Sequence, residues 1–168
     1  MSSQYERELR QVLAGVPKGV ESVIRSCTPV EKQKMLQVIQ RPFLVVRAAG
    51  SGMEGTGDLL ALRGDLCFPI EVKSTRATKL YLSGRTKLQY EAMVNEGERC
   101  NLMPLYAHRR KGVRGDSWRI FRVETTNLSG RLRQLEKSIP AFPTTRNGSY
   151  YLNWEDGMPL NAFIALVC

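Results

Sequence analysis

Apolar residues recur at helical spacing through roughly the first forty positions and at strand spacing after them. Tyr5, Leu9, Val12 and Leu13 mark one face of an N-terminal helix. Ser2 and Ser3 are placed to cap it, Glu6, Arg7 and Glu8 lie on or beside the other face, and Gly15 and Pro17 end it. Val20, Val23 and Ile24 predict a short second helix over 18–27. Thr28-Pro29 opens a third that carries Met35, Leu36, Val38 and Ile39 and closes before Pro42. Phe43-Leu44-Val45-Val46-Arg47 then predicts a buried strand. The run Leu59 to Leu62, the turn Arg63-Gly64-Asp65 and the run Phe68 to Val72 predict a hairpin. Beyond it, Leu88, Ala92 and Met93 place a helix over 86–95 on the sheet, with Gly97 as its stop, and two further strands are expected over 102–108 and 118–123. Residues 125–149 mix Thr, Asn, Ser, Gly and Pro with one Leu-containing turn and predict no larger element. The tail returns to apolar residues, with Tyr150, Tyr151, Leu152, Trp154, Leu160 and Ala162 to Val167, so it should dock on a core or serve an oligomer interface.

This pattern predicts one α/β domain with a central mixed sheet flanked by helices. At 168 residues and 42% hydrophobic the chain can bury one substantial core. Charge narrows the partner: the net charge of +9 favours a polyanion, and nucleic acid leads. Most of the excess lies in residues 76–133, where thirteen Lys or Arg face only Glu91, Glu96, Glu98, Asp116 and Glu124. Cys27, Cys67, Cys100 and Cys168 are scattered, with no CxxC pair and a single histidine, His108, so neither a zinc ribbon nor a disulfide framework is expected. No apolar run is long enough to span a bilayer. A soluble cytoplasmic protein without a membrane partner is expected, in a prokaryotic cell or in an infected host cell if the chain is viral.

The chemistry concentrates in Gly57 to Lys73. In a strand, residues two apart share a face, so Glu71 and Lys73 point one way while Val72 points into the core with Ile70 and Phe68. An antiparallel hairpin returns Asp58 beside Glu71. Two carboxylates converging near one ammonium suit magnesium, a hard ion commonly held by one or two carboxylates plus substrate phosphate, with manganese able to substitute. Lys73 would orient or activate water and offset charge on a scissile phosphate. Taken alone, an E-x-K tripeptide serves equally well as a strand-face ion pair.

Gly50, Gly52 and Gly55 match GxGxxG after a predicted strand. The chain then runs into another strand rather than a helix and no GK[ST] follows, so no nucleotide cofactor is expected and a loop beside the carboxylates is the reading. Ser74, Arg76, Lys79, Arg85 and Lys87 extend the Glu71 strand into a basic stretch suited to phosphate. Arg110 and Lys111 belong to an Arg-rich segment over 109–116, read either as a phosphate grip or as a solvated turn.

Tyr5-Glu6-Arg7-Glu8-Leu9, Val46-Arg47-Ala48-Ala49-Gly50-Ser51, Gly57-Asp58-Leu59 and Ile70-Glu71-Val72-Lys73-Ser74-Thr75, in that order, resemble the archaeal-type Holliday junction resolvases of the PD-(D/E)xK nuclease superfamily, as a cellular or viral member. Leu80-Tyr81-Leu82 and the helix after it resemble the family's continuation. The resemblance implies a restriction-endonuclease-like core and a homodimer that nicks opposing strands of a four-way junction, read by shape more than by sequence. It implies Asp58, Glu71 and Glu6 as metal ligands, Lys73 as the catalytic lysine, Ser51 and Arg47 beside the cleaved phosphate, and Arg7 as a DNA or interface contact. The helices over 16–41 are then an insertion, residues 125–168 a C-terminal extension, and no proline precedes Asp58 in the place the superfamily name gives it. Competing readings are a restriction-like or repair endonuclease of the same superfamily and a noncatalytic DNA-binding module.

Overall fold

The computed structural model describes residues 2–48 and 55–168, with side chains from Gln4 onward. The side chains of Ser2 and Ser3, on which the expected caps depend, and the residues Gly50, Ser51 and Gly52 of the glycine-rich segment lie outside the described residues. Three helices open the chain: α1 (Ser2–Leu13), α2 (Pro17–Ile24) and α3 (Pro29–Gln40). Thr28 starts α3 with a reciprocal cap. Its Oγ1 accepts from the Glu31 amide at 3.2 Å, and Glu31 Oε1 accepts from the Thr28 amide at 2.9 Å, satisfying two helix-end donors.

The strands β1 (Leu44–Arg47), β2 (Leu59–Arg63) and β3 (Leu66–Thr75) form an antiparallel meander. The short β4 (Lys79–Tyr81) and the helix α4 (Arg85–Cys100) then cross over to β5 (Leu105–Arg110), which pairs parallel to β3. After β6 (Trp118–Arg122) and α5 (Gly130–Leu135) come β7 (Tyr151–Asn153), a 3-10 turn over Trp154–Asp156, β8 (Met158–Pro159) and α6 (Leu160–Val167). The result is a mixed six-stranded sheet ordered β1-β2-β3-β5-β6-β8, with β4 and β7 paired separately as a two-stranded ribbon.

Strand alternation divides the interior between the two faces of the sheet. Phe68, Ile70, Val72, Leu105, Ala107, Trp118 and Ile120 pack one way, against Leu9 and Val12 of α1, Val20 of α2, Met35 and Val38 of α3, and Phe163 and Val167 of α6. Tyr106 and Phe121 face the other way, meeting Tyr90 and Met93 of α4, Phe142, and Leu82 and Leu152 around the ribbon. The C-terminal segment thus closes the first cluster through α6, and Arg63 fastens it. The Arg63 guanidinium donates to the carbonyls of Arg41, at 2.7 Å, and of Val167, and lies 4.3 Å over the Phe43 ring.

Three expectations change. The strand after Pro42 is not buried: β1 is an edge strand whose Leu44 and Val46 are exposed, because only β2 pairs with it. Gly97 does not end α4, which continues to Cys100 and is capped by Asn101 in the left-handed region (φ 56°), whose amide donates to the Gly97 carbonyl. Gly97 is instead a packing glycine, since a Cβ there would lie 2.7 Å from Thr125 Cγ2 and 2.9 Å from the Pro104 ring. The segment over 125–149, read as a single turn, holds the helix α5, whose Leu132 and Leu135 join the first cluster.

Candidate active site

Gly57 and the β2–β3 register place Asp58. Gly57 has φ +73°, and a Cβ on it would sit 2.6 Å from the Ile70 carbonyl oxygen, so both conformation and space require glycine. The Asp58 amide donates to that carbonyl at 2.8 Å, while the Val72 amide donates to Asp58 Oδ2 at 2.8 Å. The loop is thereby stitched to β3 on both sides of Glu71, and the Asp58 carboxylate is held beside the Glu71 carboxylate.

Glu71 and Lys73 share a face, as strand alternation requires. Lys73 Nζ lies 3.0 Å from Glu71 Oε2, and the ammonium also donates to Gln89 Oε1 on α4 at 3.1 Å. Glu71 is buried and its second oxygen, Oε1, has no hydrogen-bond partner. Burial raises the Glu71 pKa to about 7, Lys73 opposing that rise and the Asp58 charge adding to it. A buried polar atom without a partner costs about 1–3 kcal/mol. That orphaned oxygen, the neighbouring Asp58 and the all-oxygen donor set fit a hard divalent cation. Among the described residues no three His, Cys, Asp or Glu side chains gather closely enough to hold an ion, so the structure brings together Asp58 and Glu71 but does not group Glu6 with them.

Glu6 is buried on α1, 3.4 Å from Arg47 Nε at the end of β1. With Arg7, Arg10, Arg47 and Leu59 it lines a cavity of about 210 Å³, where three guanidinium groups border one carboxylate. Arg76, Lys79, Arg85 and Lys87 are exposed around β4 and the start of α4, and Ser74 is half-buried in β3. Arg110 and Lys111 are more engaged than a free turn would be, with Arg110 5.5 Å from the Trp154 ring centre and Lys111 Nζ 5.6 Å from that of Tyr5. Their neighbour Arg109 donates to Glu8 Oε2 at 2.6 Å, an oxygen that also accepts from Trp118 Nε1 at 3.1 Å.

Two polar residues near Lys73 escaped the sequence reading. Gln89 is buried with Tyr90, Met93 and Gly97, and a polar side chain on that apolar stripe was the available signal. His108, fully buried, stands opposite Lys73 in the β3–β5 register. The Thr75 hydroxyl donates its one proton to the Ala77 carbonyl at 2.7 Å, so it accepts from His108 Nε2 at 2.7 Å. Nε2 therefore carries a proton, and burial, aided by Arg110, pushes the ring's pKa down to about 4, so near neutral pH the ring is neutral with Nδ1 bare.

Comparison with known proteins places this geometry. The family model described as archaeal Holliday junction resolvase (hjc) matches residues 30–141. No curated protein matches the chain. Among solved structures, the chain is similar to that of Archaeoglobus fulgidus Hjc, described as a Holliday junction resolvase from an archaeal hyperthermophile. The TM-score is 0.51 at 20% sequence identity, over 81% of this chain and 97% of that one, a likeness of fold. The matched segment carries Asp58, Glu71 and Lys73 and starts after α1, so Glu6 and Arg7 lie outside it. With more than half of its length covered by that model, the chain belongs to the archaeal Holliday junction resolvase family, whose members are metal-dependent nucleases.

Proposed function

We propose that the chain acts as a homodimer that makes paired nicks in opposing strands of a four-way DNA junction, with Asp58 and Glu71 as ligands of a magnesium ion that manganese can replace. The observation that carries this reading is the unpartnered, buried Glu71 oxygen beside Asp58 and Lys73. When bound, the ion supplies Lewis-acid polarisation of the scissile phosphate and makes water nucleophilic near neutral pH.

The chain's own residues do the rest. Asp58 is fixed by the Val72 amide and presents its carboxylate without searching rotamers. Lys73, held between Glu71 and Gln89, keeps an ammonium where charge develops on the phosphate. Arg47, held by its ion pair with Glu6 on the α1 side, and Ser51 act beside the cleaved phosphate, with Arg7 as a DNA contact at the cavity that Arg47 and Glu6 line. Arg76, Lys79, Arg85, Lys87, Arg110 and Lys111 neutralise backbone phosphates and the Ser74 hydroxyl donates to one, positioning the arms without reading bases. Among the described residues no helix is long and apolar enough to cross a membrane, and the proposed setting is the cytoplasm.

A supercoiled plasmid bearing an extruded cruciform tests the paired action. The reading predicts linear product formed directly with magnesium, because two active sites cut within one binding event. Accumulation of nicked circles that linearise only on rebinding would contradict the dimer.

A further inference from the structure

The ribbon of β4 and β7 carries a face that phosphate cleavage does not use. Leu80 and Leu152, opposite one another in register, turn inward to the second cluster. Lys79 and Tyr81 therefore point outward, and Tyr81 faces Tyr151 across the pair. The two tyrosine rings stack with centroids 5.3 Å apart and planes at 27°, yet Tyr81 stays 56% exposed. Lys79 Nζ lies 5.9 Å from the centre of the Tyr151 ring. Arg76 and Arg85, both exposed, flank β4 along the chain.

The ribbon is anchored close to the active strand. The Trp154 amide donates to the Thr78 carbonyl at 2.8 Å, just past the end of β3. Leu80 and Leu152 pack in the same cluster as Tyr106, whose hydroxyl feels the Glu71 charge, so ribbon and active site share one face of the sheet. Tyr151 lies beyond the segment matched by the family model, so half of the stacked pair comes from this chain's own C-terminal segment.

We propose that Tyr81 and Tyr151 form a stacking platform for a nucleobase face laid open where the arms of branched DNA part, with Lys79, Arg76 and Arg85 holding the adjoining phosphates. This rests on the junction reading above. Continuous duplex hides its base faces within the stack, whereas a branch point offers them, so an aromatic surface there selects branch over duplex. Every base has a π-face, so the selection carries no sequence requirement. Charge favours the same occupant: the exposed Arg76, Lys79 and Arg85 around the rings attract a polyanion.

The test uses the full chain with chelator present, so that strands stay uncut, and a four-way junction with 2-aminopurine at the branch point. Wild type is expected to change the probe's fluorescence at the branch and leave it unchanged when the probe sits inside a duplex arm. Tyr81→Ala and Tyr151→Ala should each lose most of that response and lower the junction-over-duplex preference about tenfold, within the range for loss of one stacking partner. Tyr81→Phe should keep both. An unaltered thermal midpoint in Tyr81→Ala, whose ring is largely exposed, shows that the fold survives. Unchanged fluorescence and preference in both alanine variants would overturn the platform. A drop in mass by light scattering in Tyr81→Ala would overturn it too, since the rings would then be a contact between copies. Wild type that shows the branch-point response but never cuts with magnesium would sink the nuclease reading and leave the platform standing.

Discussion

Glu71 concentrates the tension of the site, being buried, next to a second carboxylate and only half neutralised by Lys73. Its folded pKa is raised to about 7 from 4.5, so the folded state holds a proton that the unfolded state has released in that window. Stability of the metal-free protein attributable to Glu71 therefore falls as pH rises from about 4.5 to about 7. His108 works oppositely: with its pKa lowered to about 4 from 6.5, stability is lost as pH falls through that range. Thermal midpoints of wild type minus Glu71→Gln isolate the first effect. The difference should move against wild type between pH 5 and 8 without metal and reverse when magnesium is added; a flat difference would mean that Glu71 is not strained. Gln89 is a positioning residue, so Gln89→Met should slow cleavage about tenfold, as expected for loss of one hydrogen bond to a charged group, and shift the alkaline limb of the pH–rate profile. Gln89→Glu, which keeps an acceptor, should restore more of the rate than Gln89→Met, and equal rates in the two variants would remove the role. The acid and lysine positions could be read from sequence because strand alternation alone puts Glu71 and Lys73 on one side. Gln89 and His108 could not, because each meets its partner through pairing between distant segments.

At the scale of elements, helices and strands were largely visible in the apolar periodicity, and the misreadings occurred where tertiary packing overrode a local rule. Gly97 resembles a helix stop, yet Thr125 and Pro104 press on its Cα from outside the helix. Gly97→Val should destabilise the protein by about 1–3 kcal/mol through overpacking, whereas Asn101→Gly at the true, left-handed cap should be neutral or slightly stabilising. Chemical denaturation of the two variants checks this, and equal effects would return Gly97 to a capping role. The apolar β1 reads as central because local sequence does not encode strand order; Leu44 and Val46 are exposed only because the sheet ends there. The ribbon was invisible for the same reason, since β4 and β7 are separated by most of the C-terminal half and neither is long enough to announce itself.

For the whole molecule, the mixed sheet with α1, α2, α3 and α6 on one face leaves the other face to α4, the ribbon and the Glu71 and Lys73 side chains of β3, so the acidic site opens among exposed cations. The net charge of +9 predicts junction binding that weakens steeply with salt, by about a thousandfold between 50 and 200 mM if about six phosphates are contacted. A binding constant indifferent to salt would exclude that footprint. The order of motifs made the family legible from residues alone, while the structure supplied how α6, locked by Arg63, completes the core beyond the matched segment. Junction-selective, metal-dependent cutting is tested most simply by cleavage of an end-labelled four-way junction, with its linear arms as controls, by wild type and by Asp58→Asn, in magnesium and in chelator. Paired nicks confined to the junction and lost in the variant or on chelation are predicted, whereas equal cutting of the linear arms, or cutting by Asp58→Asn at the wild-type rate, would contradict the account.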